Sequence, residues 1–249
     1  MMYWLMKNIF MGPLMRLFFW PRIEGAENIP RTGGAILAGN HVAVADSFFM
    51  PLRVPRRVTF LAKREYFTGK GVKGWLKKVF FTGVGQVPVD RSGGSAAQAA
   101  LDTAVRLLNE GKLLGVYPEG TRSPDGRLYK GKTGVARMAL EAKVPVIPVV
   151  VFGTDKANPI GSKMWRPHPI RIKVGKPLDF SRYDGLAGDR FVERAITDEI
   201  MYALMELSGQ EYVDIYATKA KEELASGTLP VPPRVPATEV DRLPQSKAS

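Results

Sequence analysis

The chain opens on a stretch that is apolar almost throughout, MMYWLMKNIFMGPLMRLFFW, broken only by Lys7, Asn8, Pro13 and Arg16. No run within it reaches the ~18 uninterrupted apolar residues of a membrane-spanning helix. Its charges sit inside the apolar stretch and no small-residue cleavage site follows, which argues against a secretory signal. On a helical wheel Lys7, Asn8, Gly12 and Arg16 share one half with Trp4, Met11, Met15 and Phe19, so the amphipathicity is poor. Pro13 is expected to split the stretch into two short helices. We read residues 1–21 as a membrane-docking helical segment with Trp and Tyr at headgroup depth.

From residue 22 the pattern changes. Short apolar runs at 35–39, 57–61, 85–89, 113–117, 145–152 and 170–174 predict strands. Apolar residues at helical spacing predict helices over 95–110, stopped by Gly111, and over 133–142. Residues 190–223 read as a long helical region broken near Ser208 and Gly209. The alternation predicts an α/β domain over 22–225, a mixed β-sheet flanked by helices. Residues 226–249 form a Pro-rich tail that cannot build a core.

Composition narrows the chemistry. The 249 residues are 45% hydrophobic and 24% charged, ordinary values for a globular protein. The absence of Cys excludes a disulfide framework, a Cys-ligated metal and a thiol nucleophile. With only 2 His, a His-based metal cluster would need carboxylates, and no metal site is expected. The net charge of +12 calls for a polyanionic partner: a nucleic acid, a membrane surface or a phosphorylated substrate.

Four short blocks carry candidate chemistry. Asn40-His41-Val42-Ala43-Val44-Ala45-Asp46 follows a predicted strand, where α/β proteins place their sites. If the chain turns into a helix there, Asp46 can hold one ring nitrogen of His41 and leave the other free to take a proton. The alternative is a helix-capping Asp beside a satisfied His. Gly85-Gln86-Val87-Pro88-Val89-Asp90-Arg91 reads as a strand ending in a charged turn. Tyr117-Pro118-Glu119-Gly120-Thr121-Arg122-Ser123 again follows an apolar strand. It offers a glycine for close approach, a hydroxyl and a planar phosphate donor. Val144-Pro145-Val146-Ile147-Pro148-Val149-Val150 carries two prolines, which suggest an edge strand or an opening able to line a channel for an apolar chain.

In this order the blocks resemble those of the glycerolipid acyltransferases, in particular the 1-acyl-sn-glycerol-3-phosphate acyltransferases: N-H-x4-D, G-x-x-P-V-D-R, F-P-E-G-T-R-S and V-P-V-I-P-V. The stretch 23–30 is similar to the strand that precedes them in that family. The resemblance covers roughly residues 22–175. Ala43 stands where many members carry Ser, and Tyr117 replaces the usual Phe. The resemblance implies acyl transfer from a coenzyme A or carrier-protein thioester, a co-substrate and not a bound cofactor, to the free hydroxyl of lysophosphatidic acid at a membrane. It implies His41 as general base and Asp46 as its partner. Lys63, Arg91 and Arg122 match positions linked to phosphate, and Glu119, Gly120 and Thr121 are expected to shape the glycerol phosphate pocket. The expected location is the cytoplasmic face of the cell membrane, peripheral or monotopic. Another lysophospholipid or a glycolipid is the alternative acceptor.

Two readings of another class compete. Residues 126–133 match G-x4-G-K-T literally, the signature of a nucleotide-cradling loop. No strand is predicted before it, so it is read as a basic loop entering a helix, near the donor's phosphates and without a part in acceptor binding. A basic stretch from Arg53 to Lys78, interleaved with Phe60, Phe67, Trp75, Phe80 and Phe81, suits single-stranded nucleic acid or an anionic lipid surface. The four blocks favour the lipid surface, and no nucleic-acid partner is expected. His168, flanked by prolines, is read as structural.

Overall fold

The computed structural model describes residues 2–89, 96–162 and 164–228. The helices are α1 (Met2–Leu5), α2 (Met11–Phe19), α3 (Asp46–Arg53), α4 (Gly71–Gly83), α5 (Ala96–Asn109), α6 (Gly134–Ala142), α7 (Thr154–Ala157), α8 (Arg190–Ser208) and α9 (Ala217–Ala225). The strands are β1 (Arg22–Glu24), β2 (Ala35–Gly39), β3 (Val58–Lys63), β4 (Gln86–Val89), β5 (Leu113–Val116), β6 (Leu128–Tyr129), β7 (Val146–Phe152), β8 (Arg171–Val174) and β9 (Tyr212–Val213).

Seven strands form one mixed sheet in the order β1-β8-β7-β2-β5-β3-β4. Every pairing is parallel except β7 with β8. β2 lies at the centre, and its five residues, Ala-Ile-Leu-Ala-Gly, are all buried because helices cover both faces. Leu37 points to the face packed by α2 and α3, through Met15, Phe19, Phe49 and Met50. Ile36 and Ala38 point to the other, packed by α5, α6 and α8 through Leu107, Leu108, Val135, Ala136, Ile196 and Ile200. The period-2 alternation of a strand thus feeds two separate cores. Helix α8 is set by its ends: Asp189 accepts the N–H groups of Phe191 and Val192, and Gly209 leaves the helix at φ 69°.

Two sequence expectations need correction. Pro13 does not split the N-terminal stretch. The helical path is continuous from α1 through a π-helical turn, Met6–Phe10, into α2. That wider turn, closed by Met11 N–H to Met6 O, lies just ahead of Pro13, where a regular turn would press the ring on the carbonyl four residues back. It also brings the Lys7 carbonyl so close to Gly12 that a side chain there would clash. The second correction concerns Pro148, which lies inside β7, paired with Ala38 of β2, and not on an edge. It is tolerated because β8 has ended at that level. The Gly175 N–H turns in to the Pro148 carbonyl, and the next backbone pairing is Leu178 with Val146.

The region from 190 to 223 breaks after Ser208 as expected. Between α8 and α9 lies β9, which pairs with β6 in a small second sheet and brings α9 against the residues that come after β5.

Because Leu37 is fully buried in the central strand, Leu37→Ala should lower unfolding free energy by about 2–5 kcal/mol. Chemical denaturation would measure it. A loss below about 1 kcal/mol would show that β2 is not the packed centre.

Candidate active site

Parallel strands bring their carboxyl ends to one edge of a sheet. β2, β5, β3 and β4 are adjacent in that sense, so their carboxyl ends lie along one edge, where the described residues past β2 and β5 come together. The His41 block follows β2, the Glu119 block follows β5, and Lys63 ends β3. Arg91 follows β4 in sequence but lies outside the described residues.

Asp46 begins α3 and is fully buried. A single oxygen, Oδ2, accepts three hydrogen bonds: from the Val42 N–H at 2.8 Å, the Ala43 N–H at 2.9 Å and His41 Nδ1 at 3.0 Å. The two backbone bonds curl the loop back so that the imidazole lies against the carboxylate. With Nδ1 donating, Nε2 is left as the proton-accepting nitrogen. The spacing His-x4-Asp is the length this curl requires.

The ring is fixed from a second direction. Tyr117 stacks on His41 with ring centroids 3.9 Å apart and planes within 10°. Its hydroxyl is 3.0 Å from Ser47 Oγ, on α3. Burial, and secondly the charge of Asp46, hold the Tyr117 phenol well above its ordinary pKa, so it stays neutral. Gly39, the last residue of β2, makes room for this ring: a Cβ there would stand 2.7 Å from Met50 and 3.2 Å from Tyr117. Tyr117 therefore orients the imidazole, a role the sequence did not reveal.

The Glu119 block is bonded to the backbone of His41 on both sides. Glu119 Oε1 accepts the His41 N–H at 3.3 Å, and the Ser123 N–H donates to the His41 carbonyl at 2.7 Å. Glu119 Oε2 accepts the Tyr129 N–H at 3.0 Å. Only 1% exposed, Glu119 holds the turn from beneath and does not face the open side. Burial pushes its carboxyl up to about 8; the two N–H bonds oppose the shift, and Asp46 and Asp125 add to it. Gly120, at φ +72°, forms the exposed crest of the turn. Thr121 and Arg122 come next, half-buried.

Other residues meet here that the sequence left apart. Asn40 Oδ1 accepts the Val151 N–H at 3.0 Å, and Nδ2 donates to Gln210 Oε1 at 3.0 Å, tying the loop to β7 and to the segment after α8. Lys132, read from the sequence as part of a basic loop with no role in acceptor binding, lies over Gly120. Its N–H bonds the Pro118 carbonyl at 2.8 Å, and a Cβ on Gly120 would fall 3.0 Å from its Cε. Lys221 of α9 donates to Thr121 Oγ1 at 2.6 Å. Contacts over such sequence separations leave no local pattern to read.

A His–Asp pair whose Nε2 has no partner among the described residues, beside a glycine turn with Arg122, Lys132 and Lys221 around it, can accept a proton next to a cationic surface. Residues 21–152, more than half of the chain, match the model of the acyltransferase family, and the chain belongs to that family. It is 34% identical over 161 residues to a 1-acyl-sn-glycerol-3-phosphate acyltransferase of Limnanthes douglasii, covering 64% of this chain and 54% of that one. A protein of the same name from Bacillus subtilis is 26% identical, over 76% of this chain and 88% of that one. Among solved structures, the 1-acyl-sn-glycerophosphate acyltransferase PlsC of Thermotoga maritima is similar with a TM-score of 0.56 and 26% identity, over 76% of this chain and 73% of that one. The chain spans about half the length of the Limnanthes relatives.

The Glu119 carboxyl gives a pH signature. Folding raises its pKa, so its contribution to stability is full below the unfolded value of 4.5 and is lost as pH climbs to about 8. The melting-temperature difference between wild type and Glu119→Gln should shift against wild type from pH 5 to pH 8 and then level off. A difference independent of pH would mean that Glu119 is not buried as described.

Proposed function

We propose that this protein transfers a fatty acyl group from an acyl thioester, on coenzyme A or a carrier protein, to the free hydroxyl of lysophosphatidic acid, giving phosphatidic acid. The observation that carries the reading is the His41–Asp46 pair, bonded through His41's own backbone to the Glu119–Arg122 turn. The names of the relatives support it. Arg122 binds the phosphate of the acceptor, with Lys63 and Arg91 as further ligands. Gly120 and Thr121 line the same pocket, and Glu119 supports it from below.

The chemistry needs little beyond this. A thioester is already activated, so one base and good orientation suffice. His41 Nε2 takes the proton of the acceptor hydroxyl as its oxygen bonds to the thioester carbon. When the tetrahedral adduct collapses, the carbon–sulfur bond breaks and the imidazolium returns the proton to the departing thiolate. Asp46 stabilises the imidazolium and fixes the ring tautomer, and Tyr117 keeps the ring plane.

The acyl chain runs along the mostly apolar cleft between the N-terminal helical segment and α3, where Met6, Met11, Met15, Phe48 and Leu52 meet Lys7 and Ser47. Unbranched methionines make an adaptable wall for an alkyl chain. The protein docks on a membrane surface from the cytoplasmic face. None of the described helices is long and apolar enough to cross a bilayer. Instead Trp4, Phe10, Leu14, Leu17 and Trp20 are exposed along the N-terminal segment, as are Val72, Trp75 and Leu76 on α4. Exposed apolar surface of this extent, beside the lysines of α4, suits an anionic interface.

Two outcomes test the reading. With lysophosphatidic acid and oleoyl thioester, His41→Ala should lower turnover by about 10²–10⁴-fold while leaving the melting temperature within a few degrees of wild type. A folded His41→Ala enzyme with most of its activity would remove the mechanism. Replacing Phe10, Leu14 and Leu17 together by Ser should release the protein from anionic vesicles in a sedimentation assay without unfolding it. Undiminished sedimentation would place the docking surface elsewhere.

A further inference from the structure

The Glu119–Arg122 turn is ringed by three cations, of which the block itself supplies one. Arg122 lies within the turn. Lys132 lies over Gly120, with a Cβ there falling 3.2 Å from its Nζ. Lys221 arrives from α9, 100 residues after Thr121, and donates to Thr121 Oγ1 at 2.6 Å. None of the three takes part in an ion pair among the described residues, whereas Arg127, Lys130 and Lys219, close to them in sequence, are paired with Asp125, Asp214 and Glu223. The carboxylate beneath the turn, Glu119, is occupied by the N–H groups of His41 and Tyr129. Lys221 is held below the ordinary lysine value by burial first and the Arg122 charge second, with Glu119 opposing. Like charges are thus gathered around an exposed crest, with the buried Glu119 beneath them and no carboxylate ion-paired to them among the described residues.

We infer that Lys221 of the C-terminal helix is an acceptor-binding residue, completing with Arg122 and Lys132 a three-cation seat that selects a phosphate monoester over a phosphodiester. The inference rests on the acceptor assignment under the proposed function and adds its headgroup specificity. A monoester carries about −1.5 to −2 at pH 7 and presents three terminal oxygens, one for each cation. A diester carries one charge and two free oxygens, and leaves one cation unmatched. Lys221 also lies beyond the residues matched by the family model, so the family blocks do not specify it.

The experiment compares the full-length wild type with Lys221→Met, Lys132→Met and Lys221→Arg in detergent micelles at saturating oleoyl thioester. Lysophosphatidic acid and lysophosphatidylglycerol serve as monoester and diester acceptors. Lys221→Met should raise the KM for lysophosphatidic acid by about 10-fold or more, as expected for loss of a charged hydrogen bond. The KM for lysophosphatidylglycerol should change much less, so the preference shrinks; kcat and melting temperature should hold. Lys132→Met should act in the same direction, and Lys221→Arg should restore most of the preference. An equal rise for both acceptors would make Lys221 a strut for α9, and an unchanged KM for lysophosphatidic acid would remove it from the site; either overturns the inference. Thermal protection by sn-glycerol 3-phosphate reads the seat without turnover. Protection of wild type that Lys221→Met loses supports the seat even if the wild type fails to acylate lysophosphatidic acid, a failure that would strike the proposed function. Equal protection of both proteins, or of neither, overturns the seat.

Discussion

One carboxylate oxygen organises the centre of this molecule. Asp46 Oδ2 receives two backbone N–H groups and the imidazole of His41, and it does so from a fully buried position at the start of α3. Without it the loop after β2 has no reason to curl, since its Val and Ala side chains favour no tight turn. With it, the N–H groups of Val42 and Ala43 are satisfied, α3 starts at a fixed point, and the His41 imidazole is oriented in the same stroke. Folding and the proposed chemistry thus share an atom. The other oxygen, Oδ1, is buried and has no hydrogen-bond partner among the described residues. Leaving a charged acceptor half-satisfied is costly, and it keeps the carboxylate's field undiluted at the imidazole.

Much of this was legible in the chain. The strands that carry the blocks are short apolar runs bounded by Gly and Pro. Adjacent parallel strands bring their carboxyl ends to one edge, so the His41 and Glu119 blocks meet whatever the details between. The His–Asp spacing was readable because its geometry is local. Tyr117 was not: it registered as a departure from the usual Phe, and only its position on the imidazole and its bond to Ser47 give the hydroxyl a purpose. The contact of Lys132 with Gly120 was not read, because a motif match drew attention to the loop that carries it. Lys221 was invisible, since α9 is held against the turn by pairing of β6 with β9, two strands of two residues each. Pro13 misled for a different reason. Its helix-breaking power is real, but a π-turn ahead of it absorbs the strain.

Charge is distributed with similar economy. The surplus of Lys and Arg gave no hint of where it acts, because composition has no geometry. In the folded chain several basic residues are locked in pairs, while Arg122, Lys132 and Lys221 around the Glu119 turn have no ion pair among the described residues. The apolar side chains left exposed on the N-terminal helices and α4 supply the complementary surface, so the same sequence that is poorly amphipathic on one wheel presents a broad greasy face once two separate helical regions are laid together.

The bonds from Glu119 and Ser123 to the two sides of His41 tie the imidazole's backbone and the Glu119–Arg122 turn into one piece. Neither can shift without dragging the other, because each bond is anchored on the main chain of His41. The site therefore works as a gauge of fixed length. Under the proposed function, a hydroxyl is activated only if it stands a set number of bonds from the phosphate, and displacement by about 1 Å can cost on the order of 10²-fold in rate. In the proposed reaction, regiochemistry is then a property of the backbone: the position on the glycerol that receives the chain is decided by the span between one imidazole nitrogen and one turn.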